Sequence, residues 1–280
     1  MKHISLLTAV LLAAILFSCE NSDIEPVAGP MPLVVEGWIE EGEAPVVIVT
    51  RAVDLTQPAA SFDGFVEKWG RVSIFDGDKR YILTGRKNDD YMPSFIFTAS
   101  RLKGKAGHTY RLLIETETDT AEAVATLLPS PSLKPLKVVP VEGSDTLFMV
   151  RAEVDGIDSD GYYKFFARSE LTESRFYGSF MGTFAGCDYD PEAGYDITRG
   201  VHSSFSDEEL GHYYKAGDRV TVKLCSLEPR LYDFWRVYDS NVSLSQNLFF
   251  TFAENCPGNV SGALGYWAAY GTSSRSVRIK

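Results

Sequence analysis

The sequence predicts an all-β protein made of two β-sandwich (immunoglobulin-like) domains, the second with one packed α-helix. Three observations predict it. Short runs rich in Val, Ile, Tyr and Phe recur along the chain, separated by polar turns marked by Gly, Pro and Asp. Helical periodicity is scarce and persuasive in a single stretch after Pro229. Between residues 129 and 135 stand three prolines, Pro129, Pro131 and Pro135, which can continue neither a helix nor a central strand. That break leaves two segments, each long enough for a sandwich.

The N-terminus is read first as an address. Lys2 precedes an apolar run from Ile4 to Phe17, which has the grammar of a secretory signal over residues 1–18. The run is shorter than the about 20 residues that a membrane span needs. It ends in Leu16-Phe17-Ser18-Cys19, which reads as a bacterial lipobox, so lipid on Cys19 is expected to anchor the chain to a membrane. The alternative is an ordinary cleaved signal with Cys19 in a disulfide. Residues 19–31, broken by Pro26 and Pro30, form the tether.

Residues 32–128 carry the strand signals of the first sandwich. Leu33 to Ile39 and Pro45 to Thr50 flank the turn at Glu41-Gly42-Glu43, and residues 54–65 read as a loop. Val72 to Phe75 and Arg80 to Thr84 flank Asp76-Gly77-Asp78, a hairpin signal. Further strands follow at Ser94 to Thr98, at Gly107 to Ile114 with Tyr110, Leu112 and Ile114 on one face, and at Glu122 to Leu127.

After the linker at 129–135, residues 136–280 form the second sandwich. Strands are expected at Lys137 to Val141, Phe148 to Val154 and Tyr162 to Ser169. Asp155 to Gly161 resembles a calcium loop, yet Ala167 stands where the closing acid belongs, so it reads as a solvated turn. Residues 185–216 form a long polar insertion. Arg219 to Leu224 is a strand, and the helix spans about 229–241. Pro229 suits its first position, and Leu231, Phe234, Trp235 and Tyr238 share one face that reads as core. Leu248 to Phe252, Ala263 to Tyr270 and Ser273 to Ile279 close the chain in β pattern.

Composition narrows the function. The chain has a net charge of -11, and loss of Lys2 with a signal peptide takes it to -12. Nucleic acid is therefore an unfavourable partner, since its binding rests on Lys and Arg neutralising phosphates. His108, His202 and His212 are scattered and no CxxC occurs, so neither metal nor cofactor is expected. There is no GxSxG elbow, HExxH helix, Walker loop or dinucleotide-binding glycine pattern. The doublets Asp89-Asp90 and Asp188/Asp190 read as solvated, and no catalytic residue is assigned. Trp38, Trp235 and Trp267 fall in strands or on the helix face and read as core, whereas Trp69, beside Gly70, reads as exposed. Cys187 and Cys256 sit in polar, turn-rich segments, while Cys225 ends a strand. A disulfide between Cys187 and Cys256 is the expected pairing.

Four features resemble a known family: Leu33 to Ile39 just after a lipoprotein tether, the Gly107 to Ile114 strand, the aromatic helix after Asp218 to Leu224, and Asn259 to Trp267. Together they resemble the domain-of-unknown-function family 4249 over nearly the whole mature chain. Each motif is moderately specific, since they describe a layout and no active site. The resemblance implies a Bacteroidetes envelope lipoprotein of the outer membrane, of a kind often encoded beside TonB-dependent receptors. It implies no catalytic residues. Glu20, Asp23 and Glu25 behind Cys19 also resemble cell-surface export signals of Bacteroidetes lipoproteins, with a plain solvated tether as the alternative. The expected function is a non-enzymatic accessory to a TonB-dependent nutrient uptake system, binding the receptor or its substrate. The alternatives are a stand-alone glycan- or peptide-binding surface lipoprotein and a structural adhesin or envelope-assembly component. Contact surfaces are expected on the loops at 185–216 and 54–65.

Overall fold

The computed structural model describes residues 31–53, 62–200, 213–245 and 254–280. The signal peptide, Cys19 and nearly all of the tether lie outside them. So do residues 54–61, 201–212 (with His202 and His212) and the strand expected at Leu248 to Phe252. The described residues hold nineteen strands and one α-helix, an all-β sandwich-type fold.

The first sandwich packs a five-stranded sheet on a four-stranded one. The five-stranded sheet runs, edge to edge, β18 (Leu264–Tyr270), β1 (Leu33–Glu40), β2 (Val46–Arg51), β6 (Phe95–Thr98) and β5 (Thr84–Lys87). The four-stranded sheet runs β4 (Lys79–Ile82), β3 (Arg71–Asp76), β7 (Thr109–Glu115) and β8 (Thr120–Thr126). The hairpin expected around Gly77 joins β3 to β4, with Gly77 at φ 58°, a backbone region that glycine enters without penalty. Val35, Ile39, Val49, Ile74, Tyr110, Leu112 and Ile114 fill the core between the sheets.

In the second sandwich, β10 (Lys137–Pro140), β11 (Leu147–Ala152) and β15 (Tyr195–Ile197) form one sheet, with β16 (Tyr214–Lys215) also on β11. The other sheet runs β14 (Tyr177–Ala185), β13 (Tyr162–Ser169), β17 (Arg219–Leu227) and β19 (Thr272–Arg278). A short pair, β9 (Ser132–Leu133) with β12 (Val154–Asp155), lies beside them. The polar segment expected as an insertion at 185–216 thus contributes β15 and β16 to this sandwich, because Ile197 and Tyr214 are fully buried anchors within it. Asp155 ends β12 and the segment after it, to Gly161, is a turn, closed by the Gly161 N–H donating to the Asp158 carbonyl at 3.0 Å.

The sequence places β18 in the second sandwich, but it pairs parallel with β1 at the edge of the first. Its two faces explain the move. Trp267 and Ala269 enter the first core, while Tyr266, Ala268 and Tyr270 face the helix α1 (Pro229–Ser245). A parallel edge strand buried on both faces reads as a continuous apolar run, which is what Tyr266 to Tyr270 is. Gly37 lies opposite Trp267, and a Cβ there would meet the indole at 3.0 Å, so glycine leaves room for the ring. The outer edge of β18 is closed by Asn259, whose side-chain carbonyl accepts from the Trp267 N–H at 2.9 Å and whose amide donates to the Trp267 carbonyl at 2.8 Å.

The helix begins at Pro229, as its sequence predicts, and runs to Ser245. It lies between the sandwiches, packed on β13, β14 and β18. The molecule therefore has a middle layer with its own cluster, including Phe166, Leu231, Phe234, Trp235 and Tyr266.

Candidate functional site: a cleft in the middle layer

Strand alternation fixes the place of the site. Along β1, Leu33, Val35 and Ile39 turn into the first core, so Glu36, Trp38 and Glu40 project from the opposite face. Across from them, Phe165, Ala167, Val222 and Leu224 turn into the second core, which sends Phe166, Arg168 and Lys223 back toward β1. The space between is a cleft of about 520 Å³. Trp235 and Tyr238 of α1, Tyr266 and Tyr270 of β18, Asp90 and Tyr91 of the β5–β6 turn, and Arg175 to Gly178 also line it, with Glu41 and Glu43 after β1.

Much of the wall is aromatic. The Trp38 and Tyr91 ring centroids are 6.0 Å apart at 45°, and Trp235 stands edge-on to Phe166 at 5.4 Å and 90°. The Trp235 indole N–H donates to the Tyr270 hydroxyl at 3.1 Å, which fixes the ring. Guanidinium groups lie against the rings: Arg175 is 4.9 Å from the Tyr177 centroid and 5.6 Å from that of Tyr91, and Arg168 is 4.9 Å from Phe176.

Some charges in this layer are closed ion pairs and some are open. Lys223 donates to Glu40 Oε1 at 2.5 Å. Lys164, wholly buried on β13, donates to both carboxylate oxygens of Asp239 at 2.7 and 2.8 Å and to the Ser179 carbonyl at 3.2 Å. The Thr183 hydroxyl donates to Asp239 at 2.6 Å. This pair clamps α1 to the second sandwich and so positions Trp235 and Tyr238. Burial pushes the Lys164 pKa down, against the pull of Asp239. Glu36 is different. Half-buried at the cleft floor, it accepts one long hydrogen bond, from the Tyr266 hydroxyl at 3.5 Å. Desolvation raises its pKa, with the Arg175 charge and the Tyr266 hydrogen bond opposing. For Arg175, burial works downward, but the Glu36 charge and a hydrogen bond with Tyr177 outweigh it, so its pKa is raised. Arg168 Nε is enclosed without a hydrogen-bond partner. An arrangement of this kind can bind: it offers flat apolar faces, one acceptor site and two donor sites around a common space.

Trp38, read from the sequence as core, lines the cleft, because its position on β1 belongs to the face turned from the first core. Trp267 is in the core and Trp69 is 93 % exposed, as expected. The helical stripe serves two ends: Leu231 and Phe234 are buried, while Trp235 and Tyr238 also face the cleft. Of the acidic doublets, Asp89 pairs with Lys87 at 2.9 Å and Asp90 reaches the cleft rim. Asp190 caps its own turn by accepting from the Glu192 N–H at 2.8 Å. Neither 185–200 nor 62–65 lines the cleft. The disulfide expected between Cys187 and Cys256 is corrected: both are free thiols, as is Cys225. Cys187 is exposed on a turn after β14 with its thiol 3.7 Å from Asp188 Oδ1, whereas Cys256 packs against the helix cluster, 3.8 Å from the Asn241 amide. Burial raises the pKa of the Cys225 thiol, which makes it a poor nucleophile. Among the described residues no group of three His, Cys, Asp or Glu could hold a metal ion.

Sequence reasoning passed over Glu36, Arg175, Lys223 and Tyr266. A signal existed for two of them. Glu36 and Glu40 flank Trp38 at period two, giving β1 a face of acid and indole, and Lys223 stands between Val222 and Leu224 within a strand. The model of the family described as "Domain of unknown function (DUF4249)" matches residues 21–276. No curated protein matches the chain. Among the described residues no helix is long and apolar enough to cross a membrane, which leaves β-barrels aside.

Proposed function

The chain belongs to the DUF4249 family, and from that premise we propose that it is a non-enzymatic, ligand-binding lipoprotein of the outer membrane, accessory to a TonB-dependent nutrient uptake system. The observation that carries the binding half of this reading is the cleft, with the open groups of Glu36 and Arg175 among aromatic rings. The lipobox at Cys19 supports the anchor, and the family's implied setting supports the receptor and the Bacteroidetes envelope. Lipid anchoring confines a binding protein to the surface where an uptake receptor works, so even a weak interface suffices to keep the two together. A stand-alone glycan- or peptide-binding lipoprotein would share the cleft and differ only in having no receptor.

The test is to tag the chain, extract native membranes gently and identify what is isolated with it. The wild type is expected to bring down a TonB-dependent receptor, and Cys19→Ser is expected to leave the membrane fraction and lose that receptor. Recovery of the wild type without any receptor, with uptake unimpaired in a deletion strain, would contradict the accessory role.

A further inference from the structure

Enclosed charges in the middle layer and beside it are paired within the protein: Lys164 with Asp239, Lys223 with Glu40, and Arg199 with Glu173 at 3.1 Å. Arg168, whose Nε has no hydrogen-bond partner, breaks that pattern, and so do Glu36 and Arg175. Glu36 and Arg175 sense each other's charge, yet no ion pair closes between them; Glu36 keeps one long hydrogen bond from the Tyr266 hydroxyl, and Arg175 lies against the rings of Tyr177 and Tyr91. A carboxylate thus presents open acceptor sites and a guanidinium open donors across one cleft, with the faces of Trp38, Tyr91 and Tyr238 nearby. Carboxylates and guanidinium groups make their strongest hydrogen bonds to ionised partners, and a guanidinium matches a carboxylate with two parallel bonds.

Building on the ligand-binding reading above, we propose that the cleft takes a zwitterion: a free amino acid or short peptide whose ammonium end meets Glu36 and whose carboxylate end meets Arg175. The rings of Trp38 and Tyr91 take its side chain. A polyanion is disfavoured, because Glu41, Glu43 and Asp90 ring the mouth along with Glu36 and Glu40 inside. A simple organic cation would satisfy Glu36 and leave Arg175 without a counter-ion. A neutral saccharide could stack on the rings, but its hydroxyls would give both charges only the weaker, uncharged kind of partner. The volume, about 520 Å³, lies within the roughly 300–1,000 Å³ of small-molecule sites and admits more than a single amino acid.

The experiment is calorimetric titration of the full chain, extracted in detergent, with the dipeptide alanyl-phenylalanine, its N-acetyl form, its C-terminal amide, and maltotriose. The dipeptide is expected to bind, and blocking either end is expected to weaken it about 10- to 100-fold, the worth of a charge-assisted hydrogen bond. Glu36→Gln, which keeps the shape and removes the charge, should weaken the free dipeptide by a similar factor while leaving the N-acetyl form unchanged. Arg175→Gln should do the same for the free dipeptide and spare the amide. Equal binding of free and blocked peptides would overturn the proposal, as would maltotriose binding without the dipeptide, although the latter would keep the cleft as a ligand site. No heat with any probe, from protein that is folded by circular dichroism, would overturn it too. Receptor co-isolation from native membranes judges the accessory role independently of all these outcomes.

Discussion

On one face of β1, Leu33, Val35 and Ile39 join Ile74, Leu112 and Trp267 in a core without charge. On the other face of the same strand, Glu36, Trp38 and Glu40 look into a layer that holds ion pairs, half-buried charges and stacked rings. The two faces differ in what their residues gain from folding. Core residues gain from leaving water, about 1.5–3 kcal/mol for each large apolar side chain fully buried. Glu36 loses hydration and recovers only part of it from Arg175 and Tyr266, whereas Arg175 recovers its loss from Glu36 and Tyr177. The sandwich cores hold the molecule together, whereas the middle layer gives up some of that stability to keep the Glu36 charge in a cleft. Binding sites commonly show this exchange of stability for function.

The largest effect should come from the residue that ties the C-terminal strand to the first core. Trp267 is fully buried, and its indole N–H donates to the Tyr110 carbonyl at 3.0 Å. Trp267→Ala should cost about 5 kcal/mol, at the upper end for large-to-small changes, because it leaves a cavity and removes a buried hydrogen bond. Urea denaturation checks it. A loss below that of an ordinary surface substitution would mean that β18 is not part of the first core.

A smaller loss, about 3 kcal/mol or somewhat more, is expected from Lys164→Met, which leaves Asp239 buried without its counter-ion. The double variant Lys164→Met with Asp239→Leu should recover most of that loss, since an apolar pair of similar size has no charge to desolvate. Urea denaturation of both variants measures the two losses. If the double variant were as unstable as the single one, the pair would act through more than its charge, contrary to the role given it here as a clamp on α1.

How far the sequence reveals this arrangement depends on the range of the interaction. Period-two patterns in β1 and β7, the Gly77 hairpin and the proline at the start of α1 are local, and each is readable as it stands. The pairing of β18 with β1 joins residues at opposite ends of the chain. The run Tyr266 to Tyr270 announces a strand buried on both faces but not its neighbour. The cleft is less legible still. Glu36, Arg175, Lys223 and Tyr266 come from four distant segments that meet only when β18 crosses back to the first sandwich. Two features were in view without being decisive: an acid on each side of Trp38, and lysines flanked by apolar residues in the buried strands β13 and β17. Lysine in such a place signals a buried partner, and nothing local says that Asp239 or Glu40 supplies it. The cysteines mislead for the same reason, since polar flanks at Cys187 and Cys256 carry no information about their separation in the fold.

Glu36 is held in the cleft at the expense of stability. Its pKa is raised above the ordinary 4.5 chiefly by burial, so between that value and its folded pKa the native state binds more protons than the unfolded state. Stability supplied by the protonated form is complete below pH 4.5 and falls as pH rises through the folded pKa. The direct measurement is urea denaturation of wild type and Glu36→Gln from pH 4 to pH 8. The wild type is expected to lose stability relative to Glu36→Gln as pH rises from about 4.5, leaving the variant the more stable protein near neutrality. Parallel curves, or a variant that is less stable at neutral pH, would contradict it.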